Sequence, residues 1–192
     1  MTPIAIIDFE TTGISPNMGD RATEVAIVML EGGQVVDRYQ SLMNAGVRVN
    51  SFITQLTGIT NDMVKAAPPA EQVMREAARF VGARPMVAHN AAFDMRFLEL
   101  KESQTGIRFD QPVLDTLLLA AVVLPEQPTH GLHALAEKLG VDATDRHHAL
   151  SDALVTGAIF LKLLPLLEEQ GITTLREARE ASKKTFYARL AY

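Results

Sequence analysis

A short unbroken apolar segment close to the N-terminus, residues 4–9 (IAIIDF), restricts the fold more than any other feature of the sequence. A run of this length without polar alternation predicts a strand that is buried in a sheet. Residues 24–30 and 34–42 predict two further strands, and the Gly-Gly pair between them predicts a hairpin. A buried strand beside a hairpin needs other elements packed on both sides of the sheet.

The rest of the sequence alternates predicted helices with two short predicted strands, residues 85–88 and 113–114. Residues 49–58 carry no regular pattern and are expected to be irregular. Apolar spacing, together with start and stop residues, predicts helices at residues 61–66, 69–82, 91–103, 116–124, 131–139, 149–167 and 173–190. Asp115 is expected to cap the helix that follows it. Strands first and α/β crossovers afterwards predict an α/β fold, a mixed sheet with helices on its faces.

Composition excludes several classes of protein. The absence of cysteine excludes a disulfide framework and a zinc–thiolate site. The N-terminus lacks the pattern of a signal peptide, and the longest apolar run, residues 117–124, is too short to cross a bilayer. A cytoplasmic protein that is not bound to a membrane is therefore expected.

The net charge is −5, whereas proteins that bind nucleic acid usually have a basic surface. Bound divalent cations would supply the positive charge that a phosphate-binding site needs.

Two acidic residues, Asp8 and Glu10, lie at the end of the first predicted strand. Side chains alternate along a strand, so residues two apart point to the same face. Two like charges this close are unfavourable unless a cation lies between them. A solvated strand end is the alternative explanation, and the buried character of the preceding residues argues against it.

Two more aspartates and a histidine lie at the starts of predicted helices. Asp94 belongs to the first turn of one helix, where a carboxylate also interacts favourably with the helix dipole. His147 precedes Asp152 by five residues at the start of the longest helix, so both side chains can reach one region of space. Taken singly, each residue has an ordinary structural explanation. His133 and His148 are expected to be surface or packing residues.

Taken together, Asp8, Glu10, Asp94 and Asp152 supply four carboxylates that lie beside apolar residues. Ligands with only oxygen donors suit hard cations such as Mg²⁺ and Mn²⁺. Four carboxylates around two such ions, roughly 4 Å apart, match the two-metal arrangement for in-line phosphoryl transfer. A neutral His147 can accept the proton of the attacking water, because the pKa of histidine is near neutral.

Three segments, DFETTG, HNAAFDMRFL and HHALSDA, resemble in order and spacing the Exo I, Exo II and Exo III motifs of the DEDD exonucleases. The histidine five residues before the last aspartate makes the chain similar to the histidine-containing DEDDh (DnaQ-like) branch of proofreading-type 3′→5′ exonucleases. The resemblance covers residues 4–164 and implies a ribonuclease H-like mixed sheet of five strands flanked by helices. Residues 1–170 would form the exonuclease domain, and residues 171–192 would form a C-terminal helical extension.

The resemblance also implies roles for individual residues. Asp8 would bind both of two Mg²⁺ or Mn²⁺ ions, Glu10 and Asp152 would complete the first site, and Asp94 would hold the second ion through water. His147 would be the general base. The implied substrate-binding residues, with Ile14 as a wedge beside the base, are Thr11, Thr12, Gly13, Ile14, Asn90 and Phe93.

The expected function is a 3′→5′ exonuclease that hydrolyses phosphodiester bonds from the 3′ end of single-stranded nucleic acid, with DNA favoured, and releases nucleoside 5′-monophosphates. An RNA-trimming exoribonuclease and an inactive nucleic-acid-binding module are the alternatives. Expected partners are DNA or RNA 3′ ends and a polymerase or another replication or repair protein, and the sequence is compatible with a homodimer.

Thr57 stands where family members often have histidine, which is a departure from the family pattern. Basic residues of the terminal helix form either a solvated face or a contact for a strand or a partner: Arg176, Arg179, Lys183, Lys184 and Arg189.

Overall fold

The computed structural model describes residues 3–145 and 147–185. Its single five-stranded sheet has the strand order β3-β2-β1-β4-β5. The first three strands are antiparallel neighbours, and β4 and β5 run parallel to β1. The strands are β1 (Ile4–Thr11), β2 (Ala22–Glu31), β3 (Gln34–Leu42), β4 (Met86–Ala88) and β5 (Val113–Asp115). The predicted mixed sheet of the ribonuclease H-like type is confirmed.

The central strand β1 is covered on both faces, as its sequence predicts. Ala5, Ile7 and Phe9 pack into a core on one side of the sheet. Ile6 packs into a second core on the other side. Neither Ile6 nor Ile7 is exposed to solvent. Because β1 is anchored on both faces, it is a rigid base for the acidic residues at its carboxyl end.

Helices cover both faces of this sheet. One core includes residues of α3 and α4, and the other is built largely by α5, α6 and α7. The helices are α1 (Ser51–Thr57), α2 (Asn61–Ala66), α3 (Ala70–Val81), α4 (Ala91–Thr105), α5 (Thr116–Val123), α6 (Leu132–Leu139), α7 (Ala149–Glu169) and α8 (Leu175–Ser182). The predicted terminal helix, residues 173–190, ends at Ser182, and its residues 186–190, with Arg189, lie outside the described residues.

The expectation that residues 49–58 are irregular is wrong, because they contain α1. The side chain of Asn50 caps this helix by accepting a hydrogen bond of 2.9 Å from the backbone N–H of Ile53. Gly58 ends it in the left-handed conformation, with φ of 74°. A helix this short has little periodicity to detect, and the Asn and Gly caps are its only local signals.

Helices α1 and α2 form a small lobe, residues 45–66, with a core of its own. Four buried residues make that core: Ala45, Val49, Ile59 and Val64. Ile53 of α1 packs against it. The lobe continues from β3, and a bridge between Asn44 and Pro69 joins its two ends. We call residues 45–66 the α1–α2 lobe.

The long helix α7 packs across β1 and β2. A Cβ at Gly157 would lie 3.4 Å from side-chain atoms of Ile6 and Leu30, so glycine allows this close approach. By length and composition α7 is apolar enough to cross a membrane, with a mean hydropathy of 1.7. Core helices of globular proteins share this composition, and the apolar residues Ile159, Phe160 and Leu163 of α7 are buried in the second core.

Candidate metal centre and active site

Three carboxylates meet at the carboxyl end of β1. Asp8 and Glu10 project from the same face of that strand, and Asp152 comes from the first turn of α7. One oxygen of each carboxylate lies within 4.8 Å of the other two. All three residues are half-buried. Residues far apart in sequence thus place their carboxylates around one small volume, which we call the carboxylate cluster.

The fourth predicted carboxylate, Asp94, lies beside this cluster but is more deeply buried. It is 2% exposed in the first turn of α4. Its Oδ1 accepts a hydrogen bond of 3.3 Å from the backbone N–H of Phe9, the residue between Asp8 and Glu10. Asp94 therefore contacts the backbone of β1 between the two acidic residues, and its charge is the largest of the neighbouring charges that raise the pKa of Asp8.

The cluster is electrostatically unfavourable without a cation. Burial, followed by the charges of Asp94, Asp152, Glu10 and Glu24, raises the pKa of Asp8 well above its ordinary value. Burial and the charges of Asp152 and Glu24 raise the pKa of Glu10 to about 8. Burial raises the pKa of Asp94 and of Asp152 as well. Like charges held this close resist ionisation unless positive charge compensates them.

The donor set fits a hard divalent cation. Asp152 Oδ1 is buried and has no hydrogen-bond partner among the described residues, so it is an oxygen whose lone pairs are available to a ligand. Carboxylate oxygens without nitrogen or sulfur donors are the ligands of Mg²⁺ and Mn²⁺. A cation would also remove the repulsion that raises the pKa values of Asp8 and Glu10.

His147 lies directly before α7, close to the cluster. Its backbone has a φ of 59°, a conformation that is uncommon for a residue other than glycine. Burial raises the pKa of Asp152, and among the effects that lower it the charge of His147 is the largest. The two side chains are therefore near each other. His148 points elsewhere, with Nε2 at 3.7 Å from the carboxylate of Asp145. The expectation that His147 and Asp152 reach one region therefore agrees with the geometry.

The sequence assigned His133 to the surface or to packing, and the structure shows that it packs against His147, beside the carboxylate cluster. Its ring meets the ring of His147 edge-on, with 6.3 Å between the centroids. It also lowers the pKa of Asp152, second to His147 among the charges that do so. His133 lies on α6, and no local pattern in that helix signals contact with the loop before α7.

The end of β1 and the loop that follows it carry four of the predicted substrate-binding residues, Thr11 to Ile14. Thr11 and Thr12 are buried, and their hydroxyl groups hold the loop together: Thr11 Oγ1 donates to the Gly13 carbonyl at 2.6 Å, and Thr12 Oγ1 accepts from the backbone N–H of Arg21 at 3.0 Å. A Cβ at Gly13 would collide with the carboxylate of Asp20. This tight loop leaves Ile14 79% exposed at its tip.

The two other predicted substrate-binding residues lie around the start of α4. Asn90 is exposed and left-handed, with φ of 55°, and its backbone N–H donates to Asp115 at 2.9 Å. Asp115 also accepts from the backbone N–H groups of Ala91 and Leu117, each at 2.9 Å, so it caps α5 as predicted and fixes the turn before Asp94 as well. Phe93 is half-buried, with its ring centroid 5.1 Å from that of Phe97.

Glu24 is an acidic residue near the site that the sequence did not single out. It lies opposite Glu10 in the β1–β2 register and is 7% exposed. Thr57, which replaces a histidine common in the family, is buried in the α1–α2 lobe and donates to the Ile53 carbonyl at 2.9 Å. Glu24 could have been found from the sequence by pairing the second predicted strand with the first, because antiparallel pairing places Glu24 opposite Glu10.

Comparison with known proteins agrees with this geometry. Residues 5–160 match the family described as Exonuclease (RNase_T). The DNA polymerase III subunit epsilon-like protein of Rhodobacter capsulatus is 41% identical over 173 residues, which are 88% of this chain and 25% of that protein. The 3′-5′ exonuclease DinG of Bacillus subtilis is 38% identical over 179 residues, 93% of this chain and 19% of DinG. The chain therefore spans a quarter or less of the length of these relatives.

A solved structure shares the fold. The nuclease domain of 3′hExo, a DEDDh family member bound to rAMP, has a TM-score of 0.75 at 22% identity, covering 90% of this chain and 94% of that domain. The family match extends over most of the chain and contains the DFETTG, HNAAFD and HHALSD segments. The chain belongs to the exonuclease family, in its DEDDh (DnaQ-like) branch.

Proposed function

We propose that this chain is a metal-dependent 3′→5′ exonuclease that removes nucleoside 5′-monophosphates from the 3′ end of single-stranded nucleic acid. The observation that carries the proposal is the carboxylate cluster, in which Asp8, Glu10 and Asp152 converge within 4.8 Å while Asp94 approaches from α4. An intact cluster beside His147 favours catalysis over an inactive binding module, because a module of that kind gains nothing from holding buried like charges together.

The proposed metal ligands are Asp8, Glu10, Asp94 and Asp152, and the proposed cofactors are two Mg²⁺ or Mn²⁺ ions. When bound, such ions would supply charge neutralisation at the phosphate, a more acidic attacking water and stabilisation of the leaving 3′ oxygen. Asp8 and Glu10 are held by a central strand that is covered on both faces, so their carboxylates have little freedom to move apart. Asp152 contributes the buried oxygen that lacks another partner.

His147 is the proposed general base. Its imidazole would accept the proton of the attacking water through a ring nitrogen and later release it to solvent. The left-handed backbone at His147 directs the residue out of the start of α7, next to Asp152. General bases contribute about 10²- to 10⁴-fold to the rate of comparable reactions.

The terminal nucleotide is proposed to bind against the loop after β1 and the start of α4. Ile14 is exposed at the tip of the tight loop that Thr11, Thr12 and Gly13 build, where an apolar side chain can lie beside a base. Asn90 presents its side chain at the start of α4, and Phe93 offers part of its ring nearby.

DNA is the proposed substrate, because the Rhodobacter relative is named as a DNA polymerase III subunit epsilon-like protein. RNA is the second candidate, since the similar 3′hExo domain binds rAMP. A polymerase or another replication or repair protein is the proposed partner, and the proposed location is the cytoplasm. We also propose that residues 1–170 are the catalytic domain and that 171–192 extend it, with α8 packed on α5 and β5.

Digestion of 5′-labelled oligonucleotides tests the proposal. Matched single-stranded and duplex DNA and RNA are incubated with Mg²⁺, with Mn²⁺ and with a chelator, and the products are separated by length. The expected result is a ladder that shortens from the 3′ end only when a divalent cation is present, with single-stranded DNA digested fastest. Asp8→Ala is the control for a contaminating nuclease. A ladder that is independent of metal, or equal in Asp8→Ala, would overturn the proposal.

A further inference from the structure

The α1–α2 lobe exposes an aromatic side chain that the proposed catalytic site does not use. Phe52 is 67% exposed, and Leu56, which follows it by one turn on the same face of α1, is 39% exposed. Another face of α1 packs Ile53 against the core of the lobe. Packing therefore sets the direction in which the aromatic face points.

A groove of about 670 Å³ lies along another face of α1, where Ser51, Thr54 and Gln55 line it. Its lining includes one cation, Arg48, and no acidic residue, although the chain as a whole carries a net charge of −5. The side chains of Arg48, Ser51 and Gln55 make no hydrogen bond or ion pair with any residue that the structure describes. By contrast, Asn50 and Asn61 use their side chains to bind the backbone of the lobe itself. The groove thus offers a positive charge and neutral polar groups from a rigid frame.

The α1–α2 lobe borders the segment directly before α7, which contains His147 and His148. A Cβ at Gly58, the residue that ends α1, would lie 4.0 Å from Cε1 of His148, the neighbour of His147. Phe52 precedes Gly58 by six residues, which is about 9 Å along a helix. Phe52 therefore lies about one and a half helical turns before the end of α1 that borders His148, on the same lobe as Arg48.

We infer that the α1–α2 lobe binds the single strand of nucleic acid upstream of the terminal nucleotide, with a base stacked on Phe52 and a backbone phosphate at Arg48. This inference rests on the proposed nuclease function and extends it to a second subsite. Aromatic rings stack on any base, so such a contact tolerates different sequences. A guanidinium group matches the geometry of a phosphate, and neutral donors beside it complete a phosphate-binding surface.

Two variants test the inference with two substrates of different length. Phe52→Ala removes the stacking ring, and Arg48→Gln removes the charge. One substrate is a single-stranded DNA of about 16 nucleotides, the upper end of the site sizes of single-strand-binding folds. The other is the p-nitrophenyl ester of thymidine 5′-monophosphate, which cannot reach the lobe. We expect each variant to raise KM for the oligonucleotide about tenfold, with unchanged kcat and unchanged hydrolysis of the ester.

Matched controls are exposed residues elsewhere on the chain. Val36→Ala truncates an exposed apolar side chain on β3, and Arg108→Gln removes an exposed charge near β5; both should leave KM unchanged. Arg48→Gln should also lower the dependence of log KM on log salt by about one unit of slope, unlike Phe52→Ala. If Phe52→Ala and Arg48→Gln cleave the oligonucleotide like the unmodified chain, the inference is wrong and a protein becomes the better occupant of this surface.

A binding measurement separates this inference from the proposed function. Fluorescence anisotropy of the labelled oligonucleotide, with Ca²⁺ present, reports affinity without requiring cleavage. If the unmodified chain degrades neither substrate, the nuclease proposal fails, yet an approximately tenfold loss of affinity in both variants would still support the strand-binding surface. Equal affinity of the unmodified chain and both variants would reject that surface whatever the activity.

Discussion

Glu24 on β2 lies directly opposite Glu10 on β1, and Gln40 on β3 donates a hydrogen bond of 2.8 Å to the carboxylate of Glu24. Two carboxylates are therefore neighbours across a strand pair whose backbone cannot spread to separate them. Burial is the main reason that the pKa of Glu10 rises to about 8, and the charges of Asp152 and Glu24 raise it further. The sheet holds these carboxyl groups together, so without a cation they ionise only at a raised pH.

The first prediction concerns the pH dependence of stability without metal. Between about pH 4.5 and pH 8, the unfolded chain has released the Glu10 proton while the folded chain still holds it, because folding raises this pKa from 4.5 to about 8. The unfolded state binds fewer protons in this window, so the free energy of unfolding should fall as pH rises. Urea unfolding in a chelator at several pH values measures the slope. Glu10→Gln should flatten it, and an equal slope in that variant would contradict the assignment.

The second prediction concerns Asp8, whose pKa is raised by burial and by the charges of Asp94, Asp152, Glu10 and Glu24. Asp8→Asn should lower kcat on the order of 10³-fold with Mg²⁺, because it removes a charged ligand from the proposed metal centre. The same change should raise the melting temperature in a chelator at about pH 8, because an amide avoids the cost of burying, beside other acidic groups, a carboxyl that is ionised in the unfolded chain. Steady-state kinetics with Mg²⁺ measures the first effect, and calorimetry in a chelator measures the second. Lower stability in the chelator would show that Asp8 contributes to folding in another way.

The third prediction separates His147 from its neighbour. His147→Ala should lower kcat about 10²- to 10⁴-fold and leave KM nearly unchanged, because a general base acts in the transition state. His148→Ala is the matched control, since His148 is exposed and faces Asp145. Steady-state kinetics on the single-stranded substrate compares the two variants. Similar losses in both would place the base elsewhere.

The fourth prediction concerns Asp115, which joins the start of α5 to the turn before Asp94. Asp115→Ala leaves three backbone N–H groups without their acceptor and should lower the free energy of unfolding by about 2–4 kcal/mol. Asp110→Ala, at an exposed aspartate near β5, should change it by less than about 0.5 kcal/mol. Urea unfolding with both variants checks this, and equal effects would mean that the cap is not needed.

The order of the elements and the four carboxylates could be predicted from sequence because their signals are local. The apolar run of β1, the Gly-Gly hairpin and the cap at Asp115 each depend on a few adjacent residues, and each is present in the structure. Helix α1 was missed because its seven residues, about two turns, show almost no periodicity. The predicted terminal helix is too long within the described residues, because α8 ends at Ser182. No residue in this basic and polar segment signals where the helix ends.

The sequence by itself determined which groups are available: Asp8 and Glu10 on one face of a strand, and His147 ahead of Asp152 at a helix start. Only the tertiary structure decided which additional groups join them, because Glu24 reaches Glu10 through strand pairing and His133 reaches His147 through packing of α6 against α7. Such contacts depend on the register of a sheet and the position of a helix, which the whole core sets. The electrostatic character of the site is therefore a property of the fold, although its ligands can be named from the sequence.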